Sequence, residues 1–256
     1  MTAIRGGRLS AWHEKFVVEE RYVEAGDRRR LYVTAAVLVV VGLVAFVAIL
    51  VGVLTHTGFE RLDRPVEAWF ESQVRPETTS AMIVLAIVFG PVALPIIIAV
   101  VLVVWIIAAR HLWRPLLLAG GMVTGVVIAQ VLAPIVQHSR PPIGDMLFGP
   151  DHSFSFPSGH VLGTSDFLLI TAYLLASRLQ RSWFTVAAFS VAIIGIGVQV
   201  FSRLYLGYHW ISDTTASFAI SLVIVGSIIA LDTARTVRVS GEAVTGPASQ
   251  PQRDGT

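Results

Sequence analysis

Residues 31 to 54 form a run of 24 positions without a charged side chain. About 20 apolar residues cross the hydrocarbon layer of a bilayer as a helix, so this run is long enough to span. Further apolar runs recur along the chain, and 54% of its 256 residues are hydrophobic against 14% charged, well outside the composition of a soluble domain. The runs predict an all-α protein, a bundle of six transmembrane helices over about 31–54, 92–109, 115–137, 158–176, 183–201 and 210–231. Together they make one membrane domain, 31–231, flanked by a polar arm, 1–30, and a disordered tail, 232–256. In the arm, Trp12, Phe16 and Val23 around Glu19 and Glu20 fit a short amphipathic helix at the membrane surface. Between the first two spans, Asp63, Glu67, Trp69, Phe70 and Glu71 recur at helical spacing and predict an interfacial helix. The stretch from Ser80 to Ala109 is too long for one straight span and is broken by Gly90-Pro91 and Pro95. A short dipping helix to about Phe89, followed by a span from Val92, fits it better. Gly121 and Gly125 make the small-xxx-small spacing that marks close helix packing.

Ionisable residues gather at the ends of these runs. Arg203, His209 and Asp213 fall within the twelve residues 202–213, between two runs. Such a cluster is costly against lipid and lines a cavity or an aqueous mouth. His209 and Asp213 are four apart, the spacing that places two side chains on one helical face. A carboxylate behind an imidazole fixes its tautomer and supports the charge it gains as base or nucleophile. Arg203 offers a planar fork suited to phosphate oxygens. Upstream, Pro157-Ser158-Gly159-His160 reads as a helix start, where free N–H groups and the positive dipole end receive an anion, with His160 beside it to donate a proton. Arg140-Pro141 closes a third run.

These residues resemble the type 2 phosphatidic acid phosphatase superfamily, which includes vanadium haloperoxidases and bacterial acid phosphatases. Its three motifs are K-x6-R-P, P-S-G-H and S-R-x5-H-x3-D. The second stands as Pro157-Ser158-Gly159-His160, and the third as Ser202-Arg203 with His209 and Asp213. The first is half present: Arg140-Pro141 match, but Ala133 stands where the lysine is expected. The resemblance implies that His209 attacks phosphorus to give a phosphohistidine, with Asp213 orienting it. His160 protonates the leaving oxygen and then activates water. Arg140, Arg203, Ser158 and the Gly159 N–H hold the equatorial oxygens. No metal and no other cofactor is implied. The substrate is a lipid phosphate or diphosphate, of the phosphatidic acid, phosphatidylglycerophosphate or polyprenyl diphosphate type. A phosphotransferase using the same site is the second reading, and a transporter or scaffold with a relict site the third.

Net charge narrows the partners. A formal charge of +2 makes no case for nucleic acid, membrane lipids are the expected surroundings, and oligomeric state is left open. With both termini in the cytoplasm, 14 of the 19 basic residues lie inside, and all three motifs share the extracytoplasmic face. The chain has no cysteine and so no disulfide. Three further residues are candidates for substrate contact or a structural role. His138 lies two residues before Arg140. Gln137, one turn beyond Ala133, is a neutral donor in place of the lysine. Asp166 lies on a helix about 9 Å below His160, with Gln130 and Gln199 as possible hydrogen-bond partners. His56, His111 and His152, with His13, read as solvated boundary residues.

Overall fold

The computed structural model describes residues 15–244 and 248–251. Eight α-helices dominate it: α1 (Ala25–Thr55), α2 (Asp63–Glu71), α3 (Pro76–Val88), α4 (Ala93–Ala108), α5 (Trp113–Val136), α6 (Gly159–Leu179), α7 (Ser182–Tyr205) and α8 (Ile211–Thr236). Three short strands, β1 (Val18–Val23), β2 (Val237–Val239) and β3 (Ser249–Pro251), join the two ends of the chain. Five helices are long and apolar enough to cross a membrane by themselves. Helices α3 and α4 pass that test only together, as one broken span bent by 50° at the Gly90-Pro91 interruption. At about 24 Å, α4 alone is shorter than the roughly 30 Å hydrocarbon layer, so the dipping segment before it completes the crossing. The expected six-span bundle and the short helix between the first two spans are both present.

Helices α6 and α8 form the centre. Their apolar side chains, among them Leu162, Ile170, Leu174, Ile220, Ile224 and Ile228, make one core with Leu118 and Met122 of α5. Helix α1 lies along α8 at backbone contact: a Cβ on Gly42 would come 2.6 Å from the Ala219 carbonyl oxygen. Gly121 has the same role on α5, where a Cβ would strike Ile170 and Ile228. The outward faces of α1, α4, α5 and α7 leave Val40, Val44, Ile107, Val123, Ile135 and Ile194 exposed. In water that surface would be an aggregation hazard, whereas against lipid tails it is at home.

Two expectations for the chain ends are corrected. Residues 18–23 form a strand rather than part of an amphipathic helix, while Trp12 lies outside the described residues. The segment after 231 is no simple disordered tail: α8 continues to Thr236, and β2 and β3 flank β1 in parallel, in the order β2-β1-β3. Pairing of buried charges explains both. Glu19 meets Arg178 at 2.5 Å and His111 at 3.2 Å, while Glu20 meets Arg235 at 3.1 Å and Arg238 at 2.8 Å. Arg21 lies 3.7 Å from Asp232, which also accepts from Trp113 Nε1 at 2.9 Å and Tyr173 OH at 2.8 Å. The alternating strand turns Glu19 and Glu20 to opposite faces, where each meets its own partners. His111 is accordingly buried, not a solvated boundary residue.

Candidate active site

The motifs meet at the opposite end of the bundle from the sheet, and the start of α8 organises them. Trp210 is its N-cap, and the Asp213 side chain reaches back so that Oδ2 accepts the Trp210 N–H at 2.9 Å. His209 therefore precedes the helix, and the spacing of four does not place it on a helical face with Asp213. The N-terminal turn brings the two together instead, with His209 Nδ1 3.5 Å from Asp213 Oδ2, a little beyond a formed hydrogen bond. The turn before it needs Gly207, whose φ is +74° and where a Cβ would sit 2.5 Å from the Asp145 carbonyl oxygen.

Arg140, from the loop after α5, reaches the other edge of the imidazole. Its Nη1 donates to the Tyr208 carbonyl at 2.7 Å and lies 3.3 Å from His209 Nε2. Nε and Nη2 are held by Ser153, through its carbonyl at 3.1 Å and its hydroxyl at 2.9 Å, and Asp151 Oδ2 lies 3.0 Å from Nη2. Arg203, near the end of α7, lies with its guanidinium 4.5 Å from the Tyr208 ring centroid and is 4% exposed, and its Nε has no partner. Ser158 caps α6 in extended conformation, fully buried, and its Oγ too has no partner. Nothing lies within 4 Å of where a Gly159 Cβ would be, so the helix start is open to approach. His160 stands within electrostatic reach of Arg203, His209 and Arg140. The structure thus brings together seven residues singled out in the sequence: Arg140, Ser158, Gly159, His160, Arg203, His209 and Asp213.

A cavity of about 520 Å³ opens beside them, lined by His160, Arg203, Tyr208 and Asp151 on one side and by Ile87, Val92 and Ile96 of the broken span on the other. A second, apolar cleft of about 280 Å³ shares Gly90, Pro91 and His160 with it and runs between α4, α5 and α6 past Leu94, Ile98 and Met122. Burial pushes the pKa of His209 down to about 4, with Arg140 and Arg203 acting in the same direction against Asp213, so this imidazole is neutral at neutral pH. Burial alone would lower His138 as well, but the hydrogen bond and charge of Asp213, with Asp63 and Glu60, hold it above its ordinary value.

The three remaining candidates separate. His138 joins the site from behind, its Nδ1 2.9 Å from Asp213 Oδ1. Gln137 does not line the cavity of His160 and Arg203, but it shares a chamber with Arg140. It takes the left-handed C-cap position of α5 and lines that chamber, of about 530 Å³, with His138, Glu60 and Asp63. Asp166 is fully buried against Gly125 with Ser221 as its polar neighbour, and among the described residues the Gln199 amide makes no hydrogen bond to it. The Asp166–Gln199 network is therefore not formed, and Gln130 is exposed at the apolar cleft. Sequence reasoning missed Asp151, Tyr208 and Asp63. Asp63 accepts Ser212 N–H at 2.9 Å and Oγ–H at 2.7 Å, and burial raises its pKa to about 6. Only the loop-forming Pro and Gly around Asp151 gave a signal. Among the described residues, Glu60, Asp63 and His138 bring ligand atoms within 4.8 Å of one another, a group of metal-ligand type. It lies on the chamber side of Asp213, away from His160 and Arg203, and Asp213 and Ser212 already engage two of its members.

The bundle of membrane-spanning helices thus gathers two histidines, two arginines and a buried carboxylate at one end, beside a cavity lined by His160 and Arg203. Residues 114–236, a little under half of the chain, match the PAP2 superfamily. A curated relative is phosphatidylglycerophosphatase B of Bacillus subtilis (strain 168), 27% identical over 121 residues, which are 45% of this chain and 56% of the relative. The match thus spans little more than half of the relative's length. The fold is that of a solved transmembrane PAP2-type phosphatidylglycerolphosphate phosphatase from Bacillus subtilis, with a TM-score of 0.66 and 21% identity over 78% of this chain and 96% of that one. The chain is a multi-pass membrane protein of this architecture.

Proposed function

We propose that this chain is a lipid phosphatase that cleaves a phosphomonoester or diphosphate through a phosphohistidine at His209. The observation that carries the reading is the placement of His209, with one nitrogen facing Asp213 at 3.5 Å and the other 3.3 Å from the Arg140 guanidinium. Asp213 fixes the proton on Nδ1, leaving the Nε2 lone pair to attack phosphorus. A phosphoryl oxygen arriving there meets Arg140 and Arg203, whose charges stabilise the transition state. As the N–P bond forms, the P–O bond to the lipid breaks and His160 delivers a proton to the leaving oxygen. His160 then takes a proton from water as the water attacks, the P–N bond breaks, and phosphate leaves. No step needs a metal.

The unpaired Ser158 Oγ and Arg203 Nε support an anion as the missing partner. The apolar wall of the cavity and the cleft behind it suit a substrate whose tails stay in the bilayer. The relative's name makes phosphatidylglycerophosphate the first substrate to test, ahead of phosphatidic acid and polyprenyl diphosphates. The charge count favours cytoplasmic termini and a site on the extracytoplasmic face of the cell membrane. The deciding experiment is phosphate release from these three lipids by the purified protein, with and without an added alcohol, and with and without chelator. Release into water that survives chelation is expected. Transfer to the alcohol at the expense of free phosphate would make the chain a phosphotransferase, and no turnover of any lipid would overturn the proposal. Protease access to a tag near Gly149, but to neither terminus, in intact cells tests the orientation.

A further inference from the structure

The shortest imidazole contact of the buried Asp213 carboxylate is not to His209. Oδ2 faces His209 Nδ1 at 3.5 Å while accepting the Trp210 N–H at 2.9 Å, and Oδ1 lies 2.9 Å from His138 Nδ1. Ser155 Oγ lies 3.3 Å from Oδ1, but its single proton has a nearer acceptor in the His138 carbonyl at 3.0 Å. His138 is thus the short donor to Oδ1 among the described residues. Its ring is fixed between Phe156 and Trp210, with centroids 6.4 Å from each. His138 lines the chamber of about 530 Å³, as Arg140 does, and not the cavity lined by His160 and Arg203, so it makes no contact with a substrate held in that cavity.

We propose that His138 is a positioning residue that holds Asp213 by Oδ1 so that Oδ2 faces His209, and that it shares the carboxylate's charge and so limits the basicity of His209. This rests on the phosphohistidine reading. A carboxylate that donates part of its charge to one imidazole has less to give the other. Without His138, Asp213 keeps only the Trp210 N–H as a short fixed donor, turns more freely, and lends its whole charge to His209. The other charged groups facing His209 are Arg140 and Asp151 from the loops and Arg203 from α7, with His160 of α6 across the cavity. Those facing His138 are Asp213, Asp63 and Glu60, with Arg64 and Arg140 lining the same chamber.

The test is steady-state phosphate release by the full chain in detergent from a short-chain phosphatidate, followed across pH. His138→Ala is expected to lower kcat about tenfold to a hundredfold, the cost of a small misplacement of the reacting group. KM should stay within about threefold, because no substrate contact is lost. The acid limb of kcat/KM should move up by about half a unit or more as His209 becomes more basic. His138→Asn, whose amide nitrogen falls near the position of Nδ1, should restore both kcat and the limb. His209→Ala runs beside them: if it keeps wild-type activity, the phosphohistidine reading fails by itself. If it is inactive while folded His138→Ala has the wild-type kcat and limb, the role of His138 is overturned. Should the alanine variant not fold, His138→Gln takes its place, since its longer amide misses the Nδ1 position. A raised limb supports the proposal, and a wild-type limb overturns it.

Discussion

The two ends of the bundle both bury charge, and they do so differently. At the strand end, Glu19, Glu20 and Asp232 are closed into pairs with Arg178, His111, Arg235, Arg238 and Arg21, and Asp232 has two further donors. Arg114 Nε and Thr233 Oγ1 are exceptions there. At the motif end, three buried polar atoms make no hydrogen bond among the described residues: Ser158 Oγ, Arg203 Nε beside the cavity, and His209 Nδ1, which faces Asp213 at 3.5 Å. Leaving a buried donor unmatched costs about 1–3 kcal/mol, a cost that a bound anion would relieve at the motif end. The strand end is charge used to fasten the termini to the bundle; the motif end is charge held ready for an anion.

The largest expected effects separate the two ends. His209→Ala should lower phosphate release by about a thousandfold or more, since it removes the nucleophile, and leave thermal stability in detergent within a degree or two. Asp232→Ala should do the reverse. Removing one partner of a buried ionic cluster costs about 3–5 kcal/mol, so melting should drop clearly while the rate per folded molecule stays near wild type. A strand-end variant that kept its stability and lost turnover would break the comparison.

Next in size is the cradle. Arg203→Ala removes a cation that only a bound anion would complete, and a loss in kcat of about a hundredfold is expected. Its stability should hold or rise, because the variant no longer buries an unmatched charge. A strong fall in stability would show that Arg203 is structural.

The pH dependence is a third check. His209 must be neutral to attack, and its pKa lies at about 4, so turnover should fall as pH drops through about 4, while the alkaline side of the profile should follow loss of the proton that His160 delivers. The same depressed value makes the folded state bind fewer protons than the unfolded one between about 4 and the ordinary histidine value near 6.5. His209 therefore stabilises the fold above that window, and this contribution is lost as pH falls through it. Melting temperature against pH, compared with His209→Gln, measures it.

The sequence carried the bundle because apolar run length is a local property, and it carried two motifs because their residues are neighbours in the chain. What it hid are contacts across long separations. His138 meets Asp213 across 75 positions and Ser212 meets Asp63 across 149, and neither pair has a spacing rule to announce it. The pairing of His209 with Asp213 was found for an incomplete reason, because the spacing of four works here through the cap of α8 and not along a helical face. The strands escaped notice because the pattern of residues 18–23 carries charges on both faces, and only the arginines of α6 and α8 and the tail make that tolerable. The place of Gln137 was not legible because it depends on the end of α5, which turns it, in a left-handed conformation, into the chamber that Arg140 also lines.

The smallest effect sharpens the contrast most finely. Asp151 puts a carboxylate on Arg140 at 3.0 Å, in the place where a phosphoryl oxygen is expected, and Ser153 N–H and Oγ–H hold its other oxygen at 2.9 and 2.8 Å. Unlike the Asp63–Ser212 and Asp213–His138 pairs, it engages a phosphate-cradle arginine directly, and a substrate must displace it. Asp151 is about a third exposed, so the pair is worth only about 0.2–1 kcal/mol. Removing the carboxylate would also loosen Arg140, but the guanidinium keeps the Tyr208 carbonyl and both Ser153 acceptors, so loss of the competitor wins. Asp151→Asn should therefore tighten inhibition by orthovanadate about two- to fivefold, in line with the energy of the pair, with kcat little changed. The inhibition constants of the two proteins at one pH decide it. Weaker inhibition in the variant would mean that Asp151 orients Arg140 for the anion, and that the motif end, like the strand end, depends on its internal pairs.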